Sequence, residues 1–89
     1  MDISYDPIKN YRNIQGRNLS FDQVVDFDFE SAFYEVDKRI DYGEIRMRAI
    51  GLLENRLHVL VFTETLDGIR VISFRKANPR EEKIYEQKT

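Results

Sequence analysis

The 89-residue chain has no cysteine, which excludes a disulfide framework, a thiolate zinc site and a cysteine nucleophile. It has a single histidine, so the side chain best suited to proton transfer near neutral pH is scarce. Nothing approaches the ~20 consecutive apolar residues of a membrane-spanning helix. The opening Met1-Asp2-Ile3-Ser4-Tyr5-Asp6-Pro7 lacks the basic start and apolar run of a secretory signal, and the expectation is a soluble, cytoplasmic protein. There is no glycine-rich phosphate loop, no Ser/His/Asp arrangement and no dinucleotide fingerprint. Asp22, Asp26 and Asp28 do not follow the spacing of a calcium loop. No cofactor and no metal are expected.

What is present is a globular mixture: 42% hydrophobic and 34% charged residues, with six Phe and five Tyr. The aromatics give a chain of this length large apolar area per residue, and residues 1–89 are expected to form one domain. A domain this small buries only about 60–65% of the surface its unfolded chain exposes, so its stability margin is thin. The net charge of −2 is unevenly spread. Residues 1–45 carry five Lys/Arg against ten Asp/Glu, and residues 46–89 carry nine against six. The later half is therefore the one suited to meet an anion.

Helix signals stand at both ends. Asp6 as N-cap, Pro7 at the first helical position and Ile8, Tyr11 and Ile14 at helical spacing predict a first helix closing near Gly16. Ser20 and Gln23 form a capping box, with Leu19 and Val24 as a hydrophobic staple, and predict a short second helix to about Phe27. Extended structure follows: residues 32–36, then a polar loop over 37–43, then strands over 44–53, 57–64 and 69–77. Asp67-Gly68 and Glu54-Asn55 read as turns. The strand Leu57–Thr63, apolar on both faces, should lie centrally. Asn78, Pro79 and Glu81 open a last helix whose Ile84 and Tyr85 can pack on the sheet. The expected fold is α+β: two N-terminal helices, a four-stranded antiparallel sheet and a C-terminal helix.

This order, filled with these residues, resembles the BrnT family of toxins, whose fold is RelE-like. The resemblance is carried by Tyr5-Asp6-Pro7 with Lys9-Asn10 and Asn13, Ser20-Phe21-Asp22, Gly43-Glu44-Ile45-Arg46 with Ile50-Gly51, Arg56-Leu57 leading to Val61-Phe62-Thr63-Glu64, and Arg70 to Ala77 followed by Arg80-Glu81 and Tyr85-Glu86. Where the family usually shows Lys-His-Gly, this chain has Gly16-Arg17-Asn18, and arginine does not release its proton near neutral pH. The resemblance implies an endoribonuclease toxin of a type II toxin–antitoxin system that cleaves RNA without a metal and inhibits translation. It further implies a BrnA-type antitoxin that neutralises the toxin and supplies the DNA binding, in a heterotetramer of two toxin–antitoxin pairs. A catalytically inactive binding module, pairing only with an antitoxin or nucleic acid, is the alternative. Arg17 and the net acidity favour it.

Metal-free RNA cleavage needs a base for the ribose 2′-OH, an acid for the leaving 5′ oxygen and cations for the phosphoryl charge. Arg46, Arg75 and Arg80 are the first candidates for phosphate contact, because the guanidinium fork matches a phosphate at two points. Glu44 and Glu64 are the nearest carboxylates in the expected sheet, each a proton acceptor or an ion-pair partner orienting an arginine. Arg48, Arg70 and Lys76 are candidate substrate-binding residues. Alternation puts Arg46 and Arg48 on one face, and Arg70 with Lys76 opposite to Arg75. His58, on an apolar strand, reads as a structural histidine, and Tyr85 as a core residue.

Overall fold

The structure, a computed structural model, describes residues 1–39 and 41–89; position 40 of the expected polar loop lies outside them. The elements run β1 (Asp2–Tyr5), α1 (Pro7–Arg17), a 3₁₀ turn (Phe21–Asp26), β2 (Phe33–Val36), β3 (Met47–Leu53), β4 (Arg56–Glu64), β5 (Gly68–Lys76) and α2 (Pro79–Lys88). The sheet order is β1-β5-β4-β3-β2. β1 pairs parallel to β5, and every other pairing is antiparallel. No helix among the described residues is long and apolar enough to cross a membrane.

The four-stranded antiparallel sheet with two N-terminal helices is thus corrected to a five-stranded mixed sheet with one N-terminal helix. β1 escaped the sequence because its partners, Gly68 to Val71, are more than sixty residues away, and a four-residue parallel strand has no local turn to announce it. Gly68 permits the pairing: a Cβ there would run into the backbone of Asp2. The capping box of Ser20 and Gln23 forms as expected, but it opens only a 3₁₀ turn. Phe27 then becomes extended and bridges to Leu53, a tertiary pairing that ends the turn before an α-helix can develop.

β4 is central, as its two-sided apolar pattern requires. On one face Ala49, Leu53, Leu60, Phe62, Ile69, Val71 and Phe74 join Leu19, Phe21, Val24 and Phe27 in the main core. On the other, Ile50, Val59 and Ala77 pack with Ile84 and Tyr85 of α2. α1 is held differently. Its buried Asn10 accepts from the Phe21 amide (2.7 Å), and Asn13 donates to the carbonyls of Leu19 and Phe74, each at 2.9 Å. The apolar residues whose spacing announces the helix are those it leaves outside: Ile8 is 63% and Tyr11 60% exposed. The helix closes at Arg17, next to the expected Gly16, with Asn18 as a left-handed cap (φ 53°).

Gly51 has no room for a side chain. A Cβ would lie 2.7 Å from Phe27 Cζ and 2.9 Å from Ala32 Cβ. Gly51→Ala should therefore destabilise the fold by about 1–3 kcal/mol through overpacking. A lowered urea midpoint with an unchanged denaturant slope is the expected outcome, and an unchanged midpoint would refute this packing.

Candidate active site

α2 covers only part of its face of the sheet. Beyond it the same face carries Arg48 on β3, Thr63 on β4, and Arg70, Ser73 and Arg75 on β5, as the registers Arg48–Val61–Ser73, Val59–Arg75 and Thr63–Arg70 require. Strict alternation puts Arg75 opposite to Arg70. The structure reverses this, because the pairing shifts between Val61 and Phe62: Val61 faces Ser73 while Phe62 faces Val71, leaving Ile72 as the extra residue of a β-bulge. One additional residue flips the parity of everything after it. Arg70 and Arg75 therefore share a face, and Lys76 points to the other, beside His58.

Glu81 ties α2 to this face. Its side chain is 5% exposed. Arg75 holds it in a two-point fork, Nη1 to Oε1 and Nη2 to Oε2, both 2.8 Å, and Arg48 Nη1 adds a contact at 3.3 Å. The Asn78 amide completes the set at 2.9 Å. The Arg75 guanidinium, bonding to the charged form, is the main reason the Glu81 carboxyl titrates below the usual carboxylate range, with the Asn78 amide and Arg48 acting in the same direction against burial. With its oxygens so occupied, Glu81 is an anchor and not a free base. Arg48 also pairs with Glu35 at 2.7 Å.

A second group lies on the same face. Glu44 bridges Arg46 (3.1 Å) and Arg70 (3.3 Å), and the Arg46 guanidinium carbon sits 3.6 Å from the Tyr42 ring centroid, a cation–π contact. Its carboxylate is a third exposed and is held by arginines alone. Asp37 and Arg39 border the site through a two-point pair at 2.9 Å, and Arg39 chiefly draws the Asp37 carboxyl below its ordinary value.

Of the residues singled out in the sequence, Glu44, Arg46, Arg48, Arg70 and Arg75 lie on one face in two groups, Glu44 with Arg46 and Arg70, and Arg48 with Arg75 around Glu81. Glu64 is in register with Ile69 on the opposite face, Lys76 is opposite as well, and Arg80 is exposed on α2 with no ion pair among the described residues. Sequence reasoning missed Glu35, Asp37, Arg39 and Tyr42, and read Glu81 only as a capping residue. The capping box was legible, but its second use was not, since Arg48 reaches Glu81 across the fold and the face that Arg75 takes, six residues before it, depends on the bulge. His58 is 4% exposed on the other face. Its Nδ1 lies 2.9 Å from the Arg56 carbonyl, which can only accept, so the ring carries its proton on Nδ1. Burial is the main cause that lowers its pKa. No group of His, Asp or Glu among the described residues is arranged to hold a metal ion.

Residues 5–81 match the family described as "Ribonuclease toxin, BrnT, of type II toxin-antitoxin system". No curated protein matches the chain.

Two outcomes are expected. Glu81→Gln should cost about 2–3 kcal/mol at pH 7, since it removes the charge from a buried ion pair. Because the folded carboxyl titrates below its unfolded value of about 4.3, that stability is present above pH 4.3 and is lost as pH falls through the lower folded value. Urea melts of both proteins should therefore converge in acid, and equal stability at pH 7 would exclude an anchoring role. For His58, an NMR titration should give a midpoint below about 6.5. The neutral ring's contribution to stability is complete above that pH and declines beneath it.

Proposed function

The chain belongs to the BrnT family of ribonuclease toxins of type II toxin–antitoxin systems, and from that premise we propose that the arginine-lined half of the sheet face is its RNA-cleaving centre. The observation that carries the reading is that Glu44 with Arg46 and Arg70, and Arg48 with Arg75 beside α2, lie on the same face of the sheet.

In this reading Arg46 and Arg70 hold the scissile phosphate, their forks matching its oxygens. Glu44, between them, takes the proton of the ribose 2′-OH. The 2′ oxygen bonds to phosphorus, the bond from phosphorus to the 5′ oxygen breaks, and that oxygen takes a proton from water, whose hydroxide then takes the proton held by Glu44 and restores the carboxylate. The products are a 2′,3′-cyclic phosphate and a 5′-hydroxyl end. No metal takes part. The guanidinium groups stabilise the charge that gathers on the phosphoryl oxygens, the largest single contribution in such sites. Arg48 and Arg75, fixed by Glu81, form the rigid wall against which the ribose–phosphate link is set. Cleavage of cellular RNA would stop translation. The antitoxin partner that this family implies would be of the BrnA type and would silence the toxin by covering the same face, in an assembly of two toxin–antitoxin pairs.

The purified protein should cut RNA in the presence of EDTA and leave cyclic phosphate ends. Glu44→Gln, which keeps the shape but cannot take a proton, should lower the single-turnover rate by about 10²–10⁴, and Arg70→Gln by about 10²–10³. A Glu44→Gln variant with full activity would remove Glu44 from proton transfer. Intact RNA after incubation with folded wild-type protein would instead favour a binding module that has lost catalysis.

A further inference from the structure

The paired arginines of the sheet face raise a question of attraction. Arg46 and Arg70 are held by Glu44, Arg48 by Glu35 and Glu81, and Arg75 by Glu81. Each carboxylate cancels charge locally, and the chain as a whole is acidic. A polyanion has little reason to approach this face first.

Positive charge without a carboxylate partner stands elsewhere, along α1. Pro7–Arg17 carries Lys9, Arg12 and Arg17 and no acidic residue, so three of the five cations of the acidic N-terminal half lie on one helix. All three are exposed, and none enters an ion pair among the described residues. They line a groove of about 530 Å³ between α1 and β5, together with Gly16, Ile72 and Ser73 among others, and with no carboxylate in its wall. Arg17 also lines the adjoining cleft of about 310 Å³, whose other cation is Lys76. The bulge that turns Arg75 toward the sheet face is what sends Lys76 this way. The groove also reaches the proposed centre: Ser73, in its wall, belongs to the row Arg48–Val61–Ser73 across the sheet.

We propose that Lys9, Arg12, Arg17 and Lys76 form a phosphate track that binds the backbone of single-stranded RNA and delivers it past Ser73 to the arginine face. The inference rests on the nuclease reading for what happens at the end of the track, but not for the binding itself. Unpaired cations on flexible stems neutralise phosphates without reading bases.

The test uses the full chain and a fluorescein-labelled 2′-O-methyl oligonucleotide of about 12 residues, which lacks the nucleophile and so reports binding alone. Lys9→Ala/Arg12→Ala is compared with Lys83→Ala/Lys88→Ala, an equal charge change on exposed residues of α2. Two lost phosphate contacts should reduce the log–log salt slope by about 1.4, so that between about 50 and 200 mM salt the wild type loses about 7-fold more affinity than the α1 variant. The α2 variant should keep the wild-type slope. Equal slopes for the two variants would overturn the track. So would an oligoglutamate peptide that needs Lys9 and Arg12 while the oligonucleotide does not, because the groove would then belong to a protein partner. Cleavage of unmodified RNA is measured alongside. Uncut RNA with the expected slopes keeps the track and removes the nuclease reading, whereas cut RNA with equal slopes does the reverse.

Discussion

A carboxylate taken out of water must be compensated by the fold around it, and the compensation of Glu81 organises one whole side of this molecule. Its two oxygens receive Arg75, Arg48 and the Asn78 amide. The interaction therefore joins the first turn of α2 to β3 and β5 at once. Taking the charge off Glu81 deprives Arg75 of its partner, at a cost of about 2–3 kcal/mol, a large share of the stability of so small a chain. The same contacts fix the two guanidinium groups in orientation. An arginine on an exposed strand would otherwise spend about 2 kcal/mol of rotamer freedom when it meets a ligand. Here that ordering is done by folding.

The bulge at Ile72 is the second constraint. Without it, Arg75 would turn from Glu81 and α2 would lose its tether, while Lys76 would join the sheet face. With it, cations at neighbouring positions are sent to opposite sides: Arg75 to the ion-paired face, Lys76 to the unpaired groove beside α1. A single inserted residue thus divides the positive charge of β5 between two surfaces of different electrostatic character, one ion-paired and ordered, the other exposed and, among the described residues, without ion pairs.

α1 departs from the usual relation between an amphipathic helix and its core. It docks through amide side chains on backbone groups, Asn10 on Phe21 and Asn13 on Leu19 and Phe74. Asn13 thereby satisfies a β5 carbonyl beyond the last pairing of β1, where the strand edge would otherwise stand open. Turning polar groups inward leaves Ile8 and Tyr11 outward, so this helix presents a mixed apolar and cationic surface.

Local chemistry was legible in the residues themselves. The caps at Asp6, Ser20 and Asn78 and the Glu54-Asn55 turn between β3 and β4 follow from spacing and side-chain type because each is decided within a few residues, and the central position of β4 and the packing of Tyr85 follow from their apolar patterns. The resemblance to BrnT was equally a property of the sequence. What the sequence could not decide was everything set by contacts between distant residues. β1 exists because β5 supplies its partner. The 3₁₀ turn stops because Phe27 meets Leu53. The face of Arg75 and Lys76 depends on a bulge that no alternation pattern contains, and the second role of Glu81 depends on β3, more than thirty residues away from it, as well as on β5. A hydrogen bond or ion pair across the fold has no period along the chain, so only the folded structure could place it.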